Sequence, residues 1–336
     1  MKWLRLPCVG KHGISRFLQS EHNIVLVRYL PKFISRAYVY ILGYLFLGCN
    51  PRLKERIGKH IFAAFGQAPP DSHVKTLKLT LRGILAHYYE KLFVAFFNFK
   101  KVCRFLNHRV AVEEYALLDQ ALARGKGAIL VTGHYGAVEF LPLTLALKGY
   151  PVTMLLRFKT RSLKESLIHR AQGTDIELVD VAEDRRVVFT ALKALKANRI
   201  LITECDEFER WCRDKRKTVS FLGASLLQDR SLDMLQRRSK AQVVMGLVQR
   251  QSSQHYQLRL HGLATASAHP RQPSIAQQAL SILEAYIAAA PHQWYQWKEA
   301  DFLLTDAADQ SAGPDHETVP NRNLPFAHSF PITLPA

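Results

Sequence analysis

Gly127-Ala-Ile-Leu-Val-Thr-Gly-His-Tyr-Gly-Ala-Val-Glu139 is the stretch whose reading decides the fold. Ala128 to Thr132 has the character of a buried strand, a short apolar run set off by glycines. It leads into Gly133 and His134. Gly136 follows, and the apolar residues Ala137, Val138, Phe140 and Leu141 predict a helix over residues 136–147. Open α/β sheets place their ligands just beyond the carboxyl ends of the strands. His134 falls at that point, with Glu139 five residues on.

The flanking sequence repeats this pattern. Further strands are expected at Val152–Leu156, Ile176–Val179, Arg199–Thr203, Val243–Val248 and Tyr256–Leu260. Helices are expected at residues 113–124, 163–171, 184–197, 226–238 and 275–289. Strands alternating with helices predict an α/β fold whose mostly parallel sheet carries helices on both faces. This α/β domain is read over residues 111–304. A basic helical region precedes it over residues 1–110, and a polar, Pro-rich tail over 305–336 reads as disordered.

The net charge of +18 is unevenly placed. Residues 1–110 hold 19 Lys and Arg against four acidic residues, Glu21, Glu55, Asp71 and Glu90, whereas the remainder is near neutral. A basic third on a neutral body points to a polyanionic partner, either a membrane surface or nucleic acid. The five cysteines are scattered and match no common zinc spacing, as expected for reduced thiols facing a cytosolic compartment.

An apolar segment runs from Phe33 to Cys49, uninterrupted from Ala37 on. As a helix, that uninterrupted part spans ~20 Å at 1.5 Å per residue, short of the ~30 Å of a bilayer core. Tyr38, Tyr40 and Tyr44 suit an interfacial position. An in-plane or re-entrant anchor, a short spanning helix and a buried core helix all fit the segment. The flanking Arg28, Lys32, Arg36, Arg52, Lys54, Arg56 and Lys59 favour the membrane readings, since each cation near an anionic leaflet contributes about 1 kcal/mol. Further on, Val74, Leu77, Leu81, Ile84, Leu85, Tyr88 and Leu92 recur at helical spacing, ahead of the aromatic run Leu92 to Phe99.

The chain has no Gly-x-Ser-x-Gly elbow, no phosphate-binding Walker loop and no His-Glu-x-x-His. Gly125-Lys-Gly127 precedes its strand, so it is no dinucleotide fingerprint. His134 and Glu139 remain. On one continuous helix they would diverge by ~140°, so a pair requires His134 in the loop and Glu139 on the first helical turn. A carboxylate on one ring nitrogen fixes the tautomer and leaves the other basic. Spacing alone favours a structural histidine.

His134-x4-Glu139, after an apolar strand introduced by Arg124-Gly-Lys-Gly127, resembles the His-x4-Asp/Glu motif of the lipid A biosynthesis acyltransferases, the late lauroyl/myristoyl transferases of the lysophospholipid acyltransferase superfamily. The likeness extends over about residues 33–300, through Ile61-Phe-Ala-Ala-Phe-Gly66, the strand running into Arg157, Ile202-Thr-Glu-Cys-Asp206, Val219-Ser-Phe-Leu-Gly223 and Pro291-His-Gln-Trp-Tyr-Gln-Trp-Lys298. It implies that His134 takes the proton of an acceptor hydroxyl attacking an acyl thioester, and that Glu139 holds the imidazole. Arg157 would bind a phosphate or the oxyanion, and Asp206 would orient the acceptor or a loop. Without the family, these two read as a surface cation and a helix N-cap.

The resemblance further implies an acyl donor carried on acyl carrier protein or coenzyme A, a lipid A precursor-like acceptor, no bound cofactor or metal, and the cytoplasmic face of a bacterial inner membrane. Glu207, the charged segment 209–217, Gln228 to Ser231 and the Lys298-Glu pair depart from the family pattern around the substrate pockets. A glycerophospholipid acceptor, or a non-enzymatic basic protein binding anionic lipid or nucleic acid, are the competing readings. No helix-turn-helix, zinc finger or aromatic RNA-binding signature supports a nucleic-acid partner.

Overall fold

A computed structural model describes residues 13–304 except 67–69, 185, 209–212 and 266–272. Six helices fill the first third: α1 (Ile14–Leu18), α2 (Glu21–Tyr29), α3 (Lys32–Gly48), α4 (Pro51–Phe65), α5 (Pro70–Phe96) and α6 (Phe99–Arg109). Strands begin with β1 (Val110–Val112), followed by α7 (Ala116–Ala123), β2 (Ala128–Thr132), α8 (Leu141–Leu147), β3 (Val152–Leu156), α9 (Arg161–Ala171), β4 (Ile176–Asp180), α10 (Val187–Lys196) and β5 (Ile200–Glu204). Next come β6 (Arg213–Phe221), β7 (Ala224–Asp229), α11 (Ser231–Ser239), β8 (Gln242–Arg250), β9 (Tyr256–Leu263) and α12 (Ile275–Ala289). Two 3-10 turns, Pro291–Gln293 and Tyr295–Glu299, lead to Leu304. The expected disordered tail lies outside the described residues.

The main sheet has the order β1-β9-β8-β2-β5-β3-β4, so the strand before His134 is central. β8, β2, β5, β3 and β4 run parallel; β9 is antiparallel to β8, and β1 follows β9. Ala128 pairs with Ile200 and Thr132 with Glu204, which sets the end of β5 beside the end of β2. Ala128 to Val131 are fully buried, as a strand covered on both faces requires. The apolar faces of α2 to α6 join the same core as the sheet.

Several boundaries differ from expectation. Gly136 has φ +58, outside the helical region, and the chain makes a 3-10 turn at Val138–Phe140 before α8 starts. The helix expected over 226–238 is only α11; β7 pairs antiparallel with β6 instead. Leu222 (φ 52) and Gly223 (φ 81) both sit at positive φ between Phe221 and Ala224, as a two-residue type I′ hairpin loop demands. The charged composition of β6 hides this hairpin from a hydrophobic-period reading. β1 was likewise not anticipated; it takes up three residues just ahead of α7.

The apolar segment forms α3. Ser35, Val39, Gly43, Phe46 and Leu47 turn inward, and Gly43 abuts Leu85 of α5 so closely that a Cβ would lie 2.2 Å from its side chain. Phe33, Ile34, Ile41, Tyr44 and Leu45 are exposed and, at 3.6 residues per turn, cover an arc of about 120° on the other side. No helix among the described residues is long and apolar enough to cross a membrane.

Candidate active site

The loop after β2 is pinned from two directions. Ala137 N–H donates to Val248 O (2.8 Å) at the end of β8, and Gly136 N–H donates to Gln293 O (2.9 Å). A Cβ on Gly136 would meet Val248 O at 1.8 Å, so only glycine fits here, on φ as well as on space. Tyr295 N–H donates to His134 O (3.1 Å). Arg250 of β8 braces the arrangement: its guanidinium grips the buried Glu90 of α5 at 2.7 and 2.8 Å and also donates to Gly136 O. The sequence thus places His134 in a backbone cradle built from β8, α5 and the segment after α12.

His134 is 6% exposed, and carboxylates face both of its ring nitrogens. Asp206 Oδ1 lies 2.8 Å from Nδ1, and Asp206 Oδ2 accepts the His134 backbone N–H at 2.9 Å. Asp206 Oδ2 also accepts the indole N–H of Trp294 at 2.8 Å. The Gln296 amide nitrogen lies 3.2 Å from Nδ1. On the other edge, Glu204 Oε1 stands 3.3 Å from Nε2. Burial opposes charge on the imidazole, but the carboxylates of Glu204 and Asp206 outweigh it and raise the His134 pKa to about 9. Burial likewise opposes charge on Asp206, yet the imidazolium and the hydrogen bonds it receives hold its carboxyl below the usual range. Burial pushes Glu204 up to about 7, although His134 pulls the other way.

Glu139 does not take the place expected of it. Its carboxylate is turned to Lys91 Nζ at 2.8 Å and stands 3.6 Å from His87 Nε2, both on α5. The bond to Nδ1 comes instead from Asp206, which is buried against the histidine rather than open to a substrate. Arg157 follows β3, exposed and at the same end of the sheet as His134, with no ion pair among the described residues. His87 is fully buried and stacks on Tyr295 with ring centroids 3.5 Å apart, while Tyr295 meets His134 edge-on at 4.8 Å.

Sequence reasoning missed Glu204, Trp294, His87 and Lys91. For Glu204 a signal was present: two residues before Asp206 in an extended segment, it projects to the same side. His134, Glu204 and Glu207 hold donor atoms within 4.8 Å of one another, the one grouping among the described residues with metal-like spacing.

An apolar pocket of about 660 Å³, counting its open mouth, adjoins this cluster. Val94, Phe99, Leu143, Met154, Leu167 and Leu178 are among its walls, and Glu139 and Glu204 are the acidic residues in its lining.

A parallel α/β sheet with a carboxylate-held histidine at the end of its central strand, beside an apolar pocket, is the frame of an enzyme acting on a partly apolar substrate. The family model of the bacterial lipid A biosynthesis acyltransferases matches residues 22–299, and the chain belongs to that family. It is accordingly a lipid acyltransferase. Comparison with curated proteins finds no match.

Proposed function

We propose that the protein moves a fatty acyl chain from an acyl carrier protein or coenzyme A thioester to a hydroxyl of a lipid A precursor, at the cytoplasmic face of a bacterial inner membrane. The observation that carries this reading is a histidine, bonded to Asp206, next to an apolar pocket whose wall includes Glu204, the carboxylate beside its Nε2. The pocket would take the acyl chain and bring its thioester carbonyl to the charged rim. His134 Nε2 would accept the proton of the acceptor hydroxyl as its oxygen attacks the carbonyl carbon; the C–S bond then breaks and the leaving thiolate takes that proton. General-base assistance of this kind contributes roughly 10²–10⁴ in rate.

Asp206 would keep Nδ1 protonated and stabilise the imidazolium formed. Glu139 would act from the pocket wall, where Lys91 holds it and its charge reaches Glu204. Arg157, at the same end of the sheet, is suited to an acceptor phosphate or the developing oxyanion, where one well-aimed donor can supply ~3 kcal/mol. The reaction needs no bound cofactor.

The exposed face of α3 suits an in-plane membrane anchor, and Val25, Leu26 and Tyr29 of α2 are exposed as well. Beside it, a groove lined by Arg28, Lys32, Lys101, Arg104 and Arg109 holds no carboxylate, which favours an anionic bilayer surface or an acidic carrier protein. Lipid mass spectrometry of cells carrying wild-type or His134→Ala protein tests the reading. One added acyl mass on a saccharolipid is expected with the wild type alone. The same mass on a glycerophospholipid would move the acceptor, and transfer surviving in the variant would remove the base.

A further inference from the structure

A general base needs a free lone pair, and in this arrangement carboxylates stand at both ring nitrogens of His134. Nδ1 is buried against Asp206 and Gln296, which leaves Nε2 as the nitrogen that can face an acceptor. Glu204 stands at that nitrogen, 3.3 Å away. Its carboxylate has no other hydrogen-bond or ion-pair partner among the described residues, and it is also part of the pocket wall. One side chain therefore sits where the base and the apolar pocket meet.

We infer that Glu204 holds His134 idle in the empty enzyme and releases it when an acyl chain fills the pocket. The inference rests on the reading that this pocket takes the acyl chain. In the resting pair, the imidazolium and the Glu204 carboxylate stand as an ion pair, 3.3 Å apart at Nε2. An entering chain strips the remaining water from that carboxylate, and desolvation favours its neutral form. The proton then crosses: the Nε2–H bond breaks and a Glu204 O–H bond forms, leaving neutral imidazole and neutral acid. No longer held by charge, the acid turns from the ring. The Nε2 lone pair is then available for the acceptor's proton, which later goes to the leaving thiolate. Glu204 keeps its own proton through the transfer and gives it back when the pocket empties.

The electrostatics agree with the geometry. After the opposing effect of burial, the charge of Glu204 is the largest single effect on His134; Asp206 acts through both its charge and its hydrogen bond, and Glu207 follows. Glu299 of the final 3-10 turn and His87 of α5 also feel the His134 charge, while Glu139, Glu207 and Lys91 act on or respond to Glu204. Glu204 is itself already raised to about 7, mainly by burial, so little further desolvation is needed to neutralise it near neutral pH.

The test pairs Glu204→Gln with an uncleavable donor mimic, the dodecyl thioether of pantetheine, and follows the His134 ring by NMR titration. In the wild type, the titration midpoint should fall by at least about one pH unit on binding the mimic. In Glu204→Gln it should start low and stay there, and the acid limb of kcat/KM should move to lower pH by a similar amount. Thermal melting confirms that the near-isosteric variant folds, and a purely structural role would leave the acid limb where it was. Binding of the mimic without a shift in the wild type, or an unmoved acid limb in Glu204→Gln, overturns the role of Glu204. Failure of the mimic to bind overturns the acyl-pocket reading and the trigger with it.

Discussion

The bond between His134 Nδ1 and Asp206 decides which ring nitrogen is left for chemistry, so the two acidic candidates around the ring make different predictions. Asp206→Asn removes the charge that stabilises the imidazolium and should lower kcat by roughly 10²–10⁴. Glu139→Gln removes the partner of Lys91 but no bond to the ring. It should leave the His134 titration where it is in the wild type, as NMR would read directly. A displaced titration in Glu139→Gln with none in Asp206→Asn would reverse the two roles. His134 was legible because an apolar run ending in Gly-His-x-Gly marks a strand end wherever the sheet lies. Its partner was not, because Asp206 comes from 72 residues further along, two residues past the end of β5, the strand next to β2. Local spacing offers the nearer carboxylate, Glu139, and no local rule reports which strands become neighbours.

Among the elements, the loop after β2 depends most sharply on one backbone position. Gly136 combines φ +58 with a carbonyl 1.8 Å from where a Cβ would stand. Gly136→Ala should cost at least ~2 kcal/mol and displace His134, since left-handed strain alone costs 1–3 kcal/mol. Gly125, at φ +66 but with nothing within 4 Å, isolates the conformational part. Gly125→Ala should cost only ~1–2 kcal/mol and leave transfer intact. Melting temperatures and turnover of the two variants check the contrast. The central strands and most helices could be read in advance because they are long, apolar and periodic. The β6–β7 hairpin could not: its strands carry charge, and Leu222 gives no hint of the positive φ it adopts.

For the whole molecule, the basic third and the apolar segment were visible from composition, but the division of α3 into two faces was not. A mean over the segment hides that Val39 and Phe46 pack inward while Phe33 is 74% exposed. That exposed face should carry the protein to lipid. Tyr29→Ser with Phe33→Ser is expected to weaken co-flotation with neutral vesicles, and high salt alone should not. Undiminished flotation of the double variant would locate the anchor elsewhere. The strand order, with β1 and β9 reversed at one edge, also lay beyond the sequence, because pairing partners are chosen by packing over long separations.

The brace between Glu90 and Arg250 joins residues 160 positions apart, and Gly83 of α5 brings its backbone against His292, near the end of the described chain. Closing such long loops carries an entropic cost before any contact rewards it, which slows folding. During synthesis, β2 and its histidine emerge from the ribosome well before the segment that carries Trp294 and Tyr295. The cradle around His134 must therefore be among the last parts of the molecule to form, and a nascent chain that has already exposed α3 still has no site with which to act.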